Sequence, residues 1–365
     1  MKKLLSLVFG LAMIAAFATT AEAGIKISGD MQVRPRGEFT ETKENGVKTA
    51  SSEELYWLYR LRLKIAADLG DGFFAKALLA NHSAGWFATI GSGREVIPVP
   101  KTDRTVPYFP TNLSDFGVNH MYFGRMMQNS HYAAGWMPVN SFNNPIYDLT
   151  VYPSQPLGIP YFLLANDRIF GLNYGAKVGP GELNASLLVL DDYMKDTDKF
   201  FRDEYAIHLM YKTNIGDITI DPQLLAAITD TYIYTLEYED VAPITFGTNV
   251  VIPAGDIKFT VGGFYTFCDD SDAGVDYDGY LFRVKAEHGP VRAWVDYSSM
   301  NDNSSGASDE YNNMYIWAQY NWKVHESSMG SLTLSPTVRY LTTDKNDGAL
   351  EYQRLRTELW AQVAF

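Results

Sequence analysis

EYQRLRTELWAQVAF, residues 351–365, closes the chain. Leu355, Thr357, Leu359, Ala361 and Val363 fall on one set of alternate positions, and Arg354, Arg356, Glu358, Trp360, Gln362 and Ala364 on the other. Successive side chains of a strand point to opposite faces, so this period of two makes a strand with one apolar and one polar face. The final residue is an aromatic, Phe365.

The same alternation opens the chain. Ile25, Ile27, Met31, Val33 and Phe39 share one face, while Lys26, Ser28, Asp30, Gln32, Arg34, Arg36 and Glu38 share the other. A second strand sets Leu55, Trp57, Tyr59, Leu61, Leu63 and Ile65 against Tyr56, Leu58, Arg60, Arg62 and Lys64, and ends in the turn signal Gly70-Asp71-Gly72 before Phe73. In lipid every backbone N–H and C=O must be paired within the protein, so strands with a lipid-facing side require a closed sheet. A terminal strand with a final aromatic resembles the closing strand of bacterial outer-membrane β-barrels, and the hairpin from Arg60 to Gly72 resembles the second hairpin of bacterial porins. The resemblance implies that Phe365 is part of the assembly signal read by the barrel-assembly machinery, and that the barrel is a homotrimer.

Residues 1–23 read as a secretory signal peptide: Lys2 and Lys3, an apolar run from Leu4 to Ala18, and the cleavage pattern Ala21-Glu22-Ala23. Residues 24–365 then form one outer-membrane β-barrel domain, in the outer membrane of a Gram-negative bacterium after export to the periplasm. Loss of Lys2, Lys3 and Glu22 moves the formal charge from −13 to −14. With 24 Tyr and 20 Phe, and a mildly negative mean hydropathy, the composition fits a barrel whose apolar exterior is diluted by a polar lumen. A soluble β-sandwich fits it too. The single Cys268 excludes an intrachain disulfide framework, and no basic tract points to nucleic acid.

The expected fold is therefore all-β: a transmembrane antiparallel barrel of about sixteen strands, with fourteen to eighteen compatible, short periplasmic turns and long extracellular loops. Strands are expected at 231–240 and 256–267, with an unusually long periplasmic connection at 241–255 or one strand misplaced between them. A long first loop is expected over 42–53. Pro35, Pro222 and Pro336 fall inside strands, where each removes a ladder donor, and a bulge is expected at each.

Three features carry functional expectations. Arg34, Arg36, Arg60, Arg62, Lys64, Arg339, Arg354 and Arg356 all fall on lumen-facing positions of four strands that are neighbours once the barrel closes. Strand rise and tilt place the arginines ~16 to 26 Å above the periplasmic rim, near mid-barrel. Such a strip attracts anions unless Asp30, Glu38 and Glu358 neutralise it. The second feature is the loop 138–165, proline-rich and nearly uncharged, which resembles in position and size the inward-folding constriction loop of general porins. Its candidate constriction residues are Phe142, Tyr147, Asp148, Tyr152 and Tyr161. It lacks the carboxylates of that pattern, and loop 84–117 is a rival plug. The third is the acidic run 269–278, whose Asp270, Asp272 and Asp276 offer oxygens to calcium without the spacing of an EF-hand. A solvated loop, or divalent bridging to lipopolysaccharide, uses the same charges.

Asn81-His82-Ser83 is the best nucleophile-like trio, but adjacent strand residues point to opposite faces, so His82 cannot orient Ser83. No enzyme activity, cofactor or metal is expected. The leading expectation is a porin passing small hydrophilic solutes with anion preference. The alternatives are a substrate-specific channel for oligosaccharides or acidic saccharides such as alginate, and a structural or adhesion barrel without useful conductance. Outer-membrane lipid and lipopolysaccharide are the expected surroundings.

Overall fold

The computed structural model describes residues 24–81, 87–90, 95–98, 105–108, 116–138, 146, 169–191, 204–229, 231–233, 238–270, 274–304, 306 and 308–365. These form a closed antiparallel barrel of sixteen strands among the described residues. In chain order they are β1 (Ile25–Glu44), β2 (Val47–Gly70), β3 (Phe73–Ala80), β4 (Gly117–Met126), β5 (Ser130–Met137), β6 (Ile169–Val178), β7 (Gly181–Asp191) and β8 (Glu204–Ile215). There follow β9 (Ile218–Ala227), β10 (Ile244–Ala254), β11 (Ile257–Asp270), β12 (Val275–His288), β13 (Val291–Asp302), β14 (Asp309–Tyr320), β15 (Gly330–Lys345) and β16 (Leu350–Ala364). Two short segments join the same sheet: Trp322–Ser327 continues β14 past Asn321, and Ala88–Ile90 lies along Trp57–Tyr59 of β2.

Each strand pairs with the next, and β1 pairs with β16 from Asp30↔Ala364 to Glu44↔Leu350, which leaves the sheet without an open seam. Closure is what makes the two faces different solvents. Outward positions are large, apolar and exposed, as at Met31, Leu55, Trp57, Phe123, Phe170, Leu172, Phe282, Leu359 and Val363. Inward positions on the same strands are buried and mostly polar, as at Gln32, Arg34, Arg60, Asp296, Thr337 and Glu358. An exposed apolar belt on a closed barrel is a surface for lipid.

The alternation read from the sequence holds, but three expectations change. The strand expected at 231–240 is absent: β10 runs Ile244–Ala254 and turns tightly through Gly255, at φ 60°, into β11. Residues 231–233 and 238–241 instead pair as a small separate hairpin in the connection after β9. The expected long connection at 241–255 is thus a barrel strand, whose Ile244-Thr-Phe-Gly-Thr-Asn-Val-Val-Ile was masked by its glycine and by the more aromatic run before it.

The first connection is also not a long loop. β1 and β2 pair from Ile25↔Ala67 to Glu44↔Val47 and turn on Asn45-Gly46, with φ of 50° and 77°. Positive φ at both central residues is the hairpin turn whose twist matches the flanking strands, and Asn-Gly is its preferred sequence. Finally, no register shift occurs at Pro35, Pro222 or Pro336. Pairing of β1 with β16 skips Arg34 and Pro35 and resumes in the same register, so the missing donor is met by a gap instead of a bulge.

Candidate functional site

The eight basic residues expected on one wall are brought together by β15, β16, β1 and β2. Arg34 and Arg36 alternate with outward Val33 and Gly37 on β1, and Arg339 of β15 lies directly across from Arg356 of β16. Their surroundings differ with height. Arg34, Arg36, Arg60, Arg339 and Arg354 are buried, whereas the Lys64 side chain, nearer the end of the barrel that holds the Gly70-Asp71-Gly72 turn and both described termini, is 56% exposed.

Glu358 is the hub of the buried part. Its carboxylate has no exposed surface and accepts Arg36 Nε on Oε1, while Oε2 receives Arg339 Nη2 at 2.9 Å, Trp360 Nε1 at 2.6 Å and Arg34 Nη1 at 3.7 Å. Glu38 pairs with Arg356 and accepts the Tyr56 hydroxyl at 3.2 Å, and Tyr56 in turn accepts Arg36 Nη1 at 3.1 Å. Asp30 accepts Arg62 Nε at 2.9 and 3.0 Å and lies 3.6 Å from Lys64 Nζ. Among the described residues, the carboxylates ion-paired with this wall are those of Asp30, Glu38 and Glu358. Arg34 Nε, Arg339 Nε and Arg354 Nη2 are buried and meet no hydrogen-bond acceptor among the described residues.

Aromatic rings hold the remaining faces of the guanidinium groups. Arg34 lies between Phe87 and Trp360, its central carbon 3.8 and 3.7 Å from the two ring centroids, and Arg60 lies 4.3 Å from the same Phe87 ring. Arg339 sits 3.9 Å over Trp317, which stacks on Trp294 at 4.4 Å and meets Trp360 edge-on at 5.4 Å. Cation–π contacts of this kind strengthen where water is excluded. Trp294 and Trp317 escaped the sequence reading, although register would have revealed them: Trp294 pairs directly with Trp317, and Trp317 with Arg339.

No protein-family model matches the chain, and no curated protein matches it. Solved structures do. An anion-selective porin from Comamonas acidovorans is 13% identical at a TM-score of 0.56, with 94% of this chain and all of that one covered. The outer-membrane channel DcaP of Acinetobacter baumannii is 14% identical at 0.55, over 95% of this chain and 99% of that one. OmpT, an outer membrane protein of Vibrio cholerae, is 12% identical at 0.56, over 95% and 99%.

The fold is that of the outer-membrane porins. Within this porin fold, among the described residues, a segment of the connection after β3 reaches the basic wall. Ala88–Ile90 adds to β2 at Trp57–Tyr59, which places Phe87 against Arg34 and Arg60. The candidate constriction residues Phe142, Tyr147, Asp148, Tyr152 and Tyr161 lie outside the described residues. Their neighbour Ile146 is buried, and it belongs to the apolar cluster of inward side chains that includes Ile169, Leu188, Leu225 and Phe264.

The other expected sites resolve as follows. Asp270 and Asp276 lie on opposite faces of the β11–β12 hairpin, since Asp276 pairs with Asp269 and Asp270 with Val275; Asp272 lies outside the described residues. Among the described residues no group of three metal-ligating side chains occurs. Asn81 continues the ladder beside β2, its Oδ1 accepting Leu61 N–H at 2.8 Å, and His82 and Ser83 lie outside the described residues.

Proposed function

We propose that this chain forms a water-filled channel in the outer membrane of a Gram-negative bacterium, passing small hydrophilic solutes with a preference for anions and no enzymatic activity. Residues 1–23 serve as the signal peptide and 24–365 as the mature barrel. The observation that carries the reading is the gathering of eight cations on one inward wall, where the carboxylates paired with them among the described residues are those of Asp30, Glu38 and Glu358. A permeating ion responds chiefly to charges within a Debye length, ~8 to 10 Å, so mid-lumen arginines outweigh distant acidic loops despite the net negative chain. The Comamonas porin is described as anion-selective, which agrees with it.

The acidic-saccharide channel needs ring faces free for stacking. Trp294 and Trp317 are each 2% exposed and already occupied by each other and by Arg339, which favours the ion reading. We also propose lipopolysaccharide and membrane lipid as surroundings, assembly through Phe365, and a homotrimer; one OmpT structure of Vibrio cholerae is described as a trimer form.

Planar bilayers with a salt gradient test the channel. The reversal potential should indicate anion preference, and Arg60→Gln with Arg62→Gln should move it toward cations while conductance changes within a few-fold. Cation preference that those substitutions leave unchanged would overturn the reading. Saturable block by a sugar would transfer it to a substrate-specific channel, and absence of current steps to a structural barrel.

A further inference from the structure

The inward charges are sorted along the barrel axis. At the turn end, which holds Gly70-Asp71-Gly72, Gly179, Gly216, Gly255 and Gly289, three cross-strand rows carry a base on either side. Lys26 and Lys76 flank Ala66 across β1, β2 and β3; Lys177 and Lys212 flank Glu182 across β6, β7 and β8; Lys258 and Arg292 flank Glu287 across β11, β12 and β13. Each base falls on an inward position, in phase along its strand with Asp30, Leu78, Ile169, Ala206, Thr260 or Trp294, all buried inside the barrel. Lys26, Lys76, Lys177 and Lys212 are exposed.

The opposite, loop end is acidic. Glu44, Glu204, Asp270, Asp302 and Asp309 take inward positions where β1, β8, β11, β13 and β14 meet the loops. The described bases Lys43, Lys48 and Lys345 near this end are engaged, the first two with Glu41 and the third with Asp309. Beyond residues 1–23, the chain outside the described residues runs between strand ends on this same side, and its sequence holds more Asp and Glu than Lys and Arg. Asp71, Asp217 and Asp256 in the turns offset part of the basic rows, so the positive stretch of the lumen extends from those rows to the arginines around Glu358.

A stretch of lumen lined by fixed charge fills with ions of opposite sign within about a Debye length of the wall. Anions are therefore enriched from the turn end to the arginines, and cations in the loop-end mouth. A voltage that is positive on the loop side drives both enriched populations toward their junction, where carriers accumulate. The reverse voltage draws both away and depletes it.

We propose that the barrel is a rectifying channel whose current is larger when its loop side is positive. The proposal rests on the channel reading: the arginines set which ion passes, and the polarity between the two ends sets the easier direction.

The test is the current–voltage curve of single channels in planar bilayers, with the same potassium chloride solution on both sides. Orientation is read from an epitope inserted after Asp347, between β15 and β16, whose antibody alters the current only from the side that carries the loops. At ~0.1 M salt, where the screening length is ~10 Å, loop-positive current should exceed loop-negative current by about 1.5-fold or more at equal voltage. At ~1 M, where that length is ~3 Å, the two should become equal. Combining Lys26→Glu, Lys76→Glu, Lys177→Glu and Lys212→Glu should abolish the low-salt difference, with heat-modifiability confirming that the variant is folded. Symmetric current at low salt, rectification of the opposite sign, or rectification that survives high salt or the four substitutions overturns the proposal and leaves the channel reading standing. Absence of current steps overturns both.

Discussion

Gly29 and Phe365 exchange both backbone hydrogen bonds, Phe365 N–H donating to Gly29 O at 3.0 Å and Gly29 N–H to Phe365 O at 2.7 Å. The last residue of the chain thereby closes the seam between the first and last strands. A Cβ at Gly29 would stand 2.7 Å from the Phe365 ring and 2.6 Å from the Arg62 carbonyl oxygen, so this position has no room for a side chain. The terminal aromatic is a structural part of the closure as well as an expected signal.

Deleting Phe365, or changing it to Asp, should lower the amount of heat-modifiable barrel in the outer-membrane fraction while export to the periplasm continues. Gly29→Val should act at the same seam, because both the ring and the β2 backbone obstruct its side chain. Normal barrel levels in both variants would show that closure does not depend on this contact.

Glu358→Gln removes the one carboxylate that Arg34, Arg36 and Arg339 share. Taking away one partner of a buried ion pair costs about 3–5 kcal/mol, because the remaining charges stay buried and unmatched. The folded band should therefore convert to the unfolded one at a clearly lower temperature on heating before electrophoresis. An unchanged conversion temperature would mean that water already screens the cluster.

Phe87→Ala withdraws a ring shared by Arg34 and Arg60, each contact being worth ~1–2 kcal/mol when shielded from water. The two guanidinium groups should become mobile within the lumen, giving larger and noisier open-channel current with anion preference retained. Indistinguishable current traces would leave the connection after β3 without a part in the constriction.

The placement of β10 is open to a direct check on intact cells. An epitope inserted after Thr229, in the connection following β9, should be reached by antibody, whereas one inserted between Gly255 and Asp256 should be reached only after the membrane is opened. The opposite pattern would restore a strand at 231–240.

Much of the barrel was legible because a strand written with period two records its own two solvents. Met31 against Gln32, and Leu359 against Glu358, show the lipid and lumen faces without knowledge of any neighbour. The same logic misled at 231–240, where aromatic residues alternate in a connection hairpin, and at β10, where Gly247 and the uncharged inward residues Thr245 and Asn249 weaken the signal. The Asn45-Gly46 turn was present in the sequence, and only its surroundings, rich in Glu, Lys and Ser, suggested a loop.

The sequence by itself determined that Arg34, Arg60, Arg339 and Arg356 face the lumen and that Asp30, Glu38 and Glu358 share that face, since alternation sets the side of a sheet on which each residue lies. It did not determine which acid meets which base. That depends on register across strands as distant in sequence as β1 and β16, and on closure, which brings Arg36 to Glu358 and Arg356 to Glu38. Nor could any local pattern place Phe87 on Arg34 and Arg60, because the contact requires the segment after β3 to fold back along β2. Periodicity is local and survives in the sequence; register and closure are satisfied only when the whole ring of strands has paired its backbone.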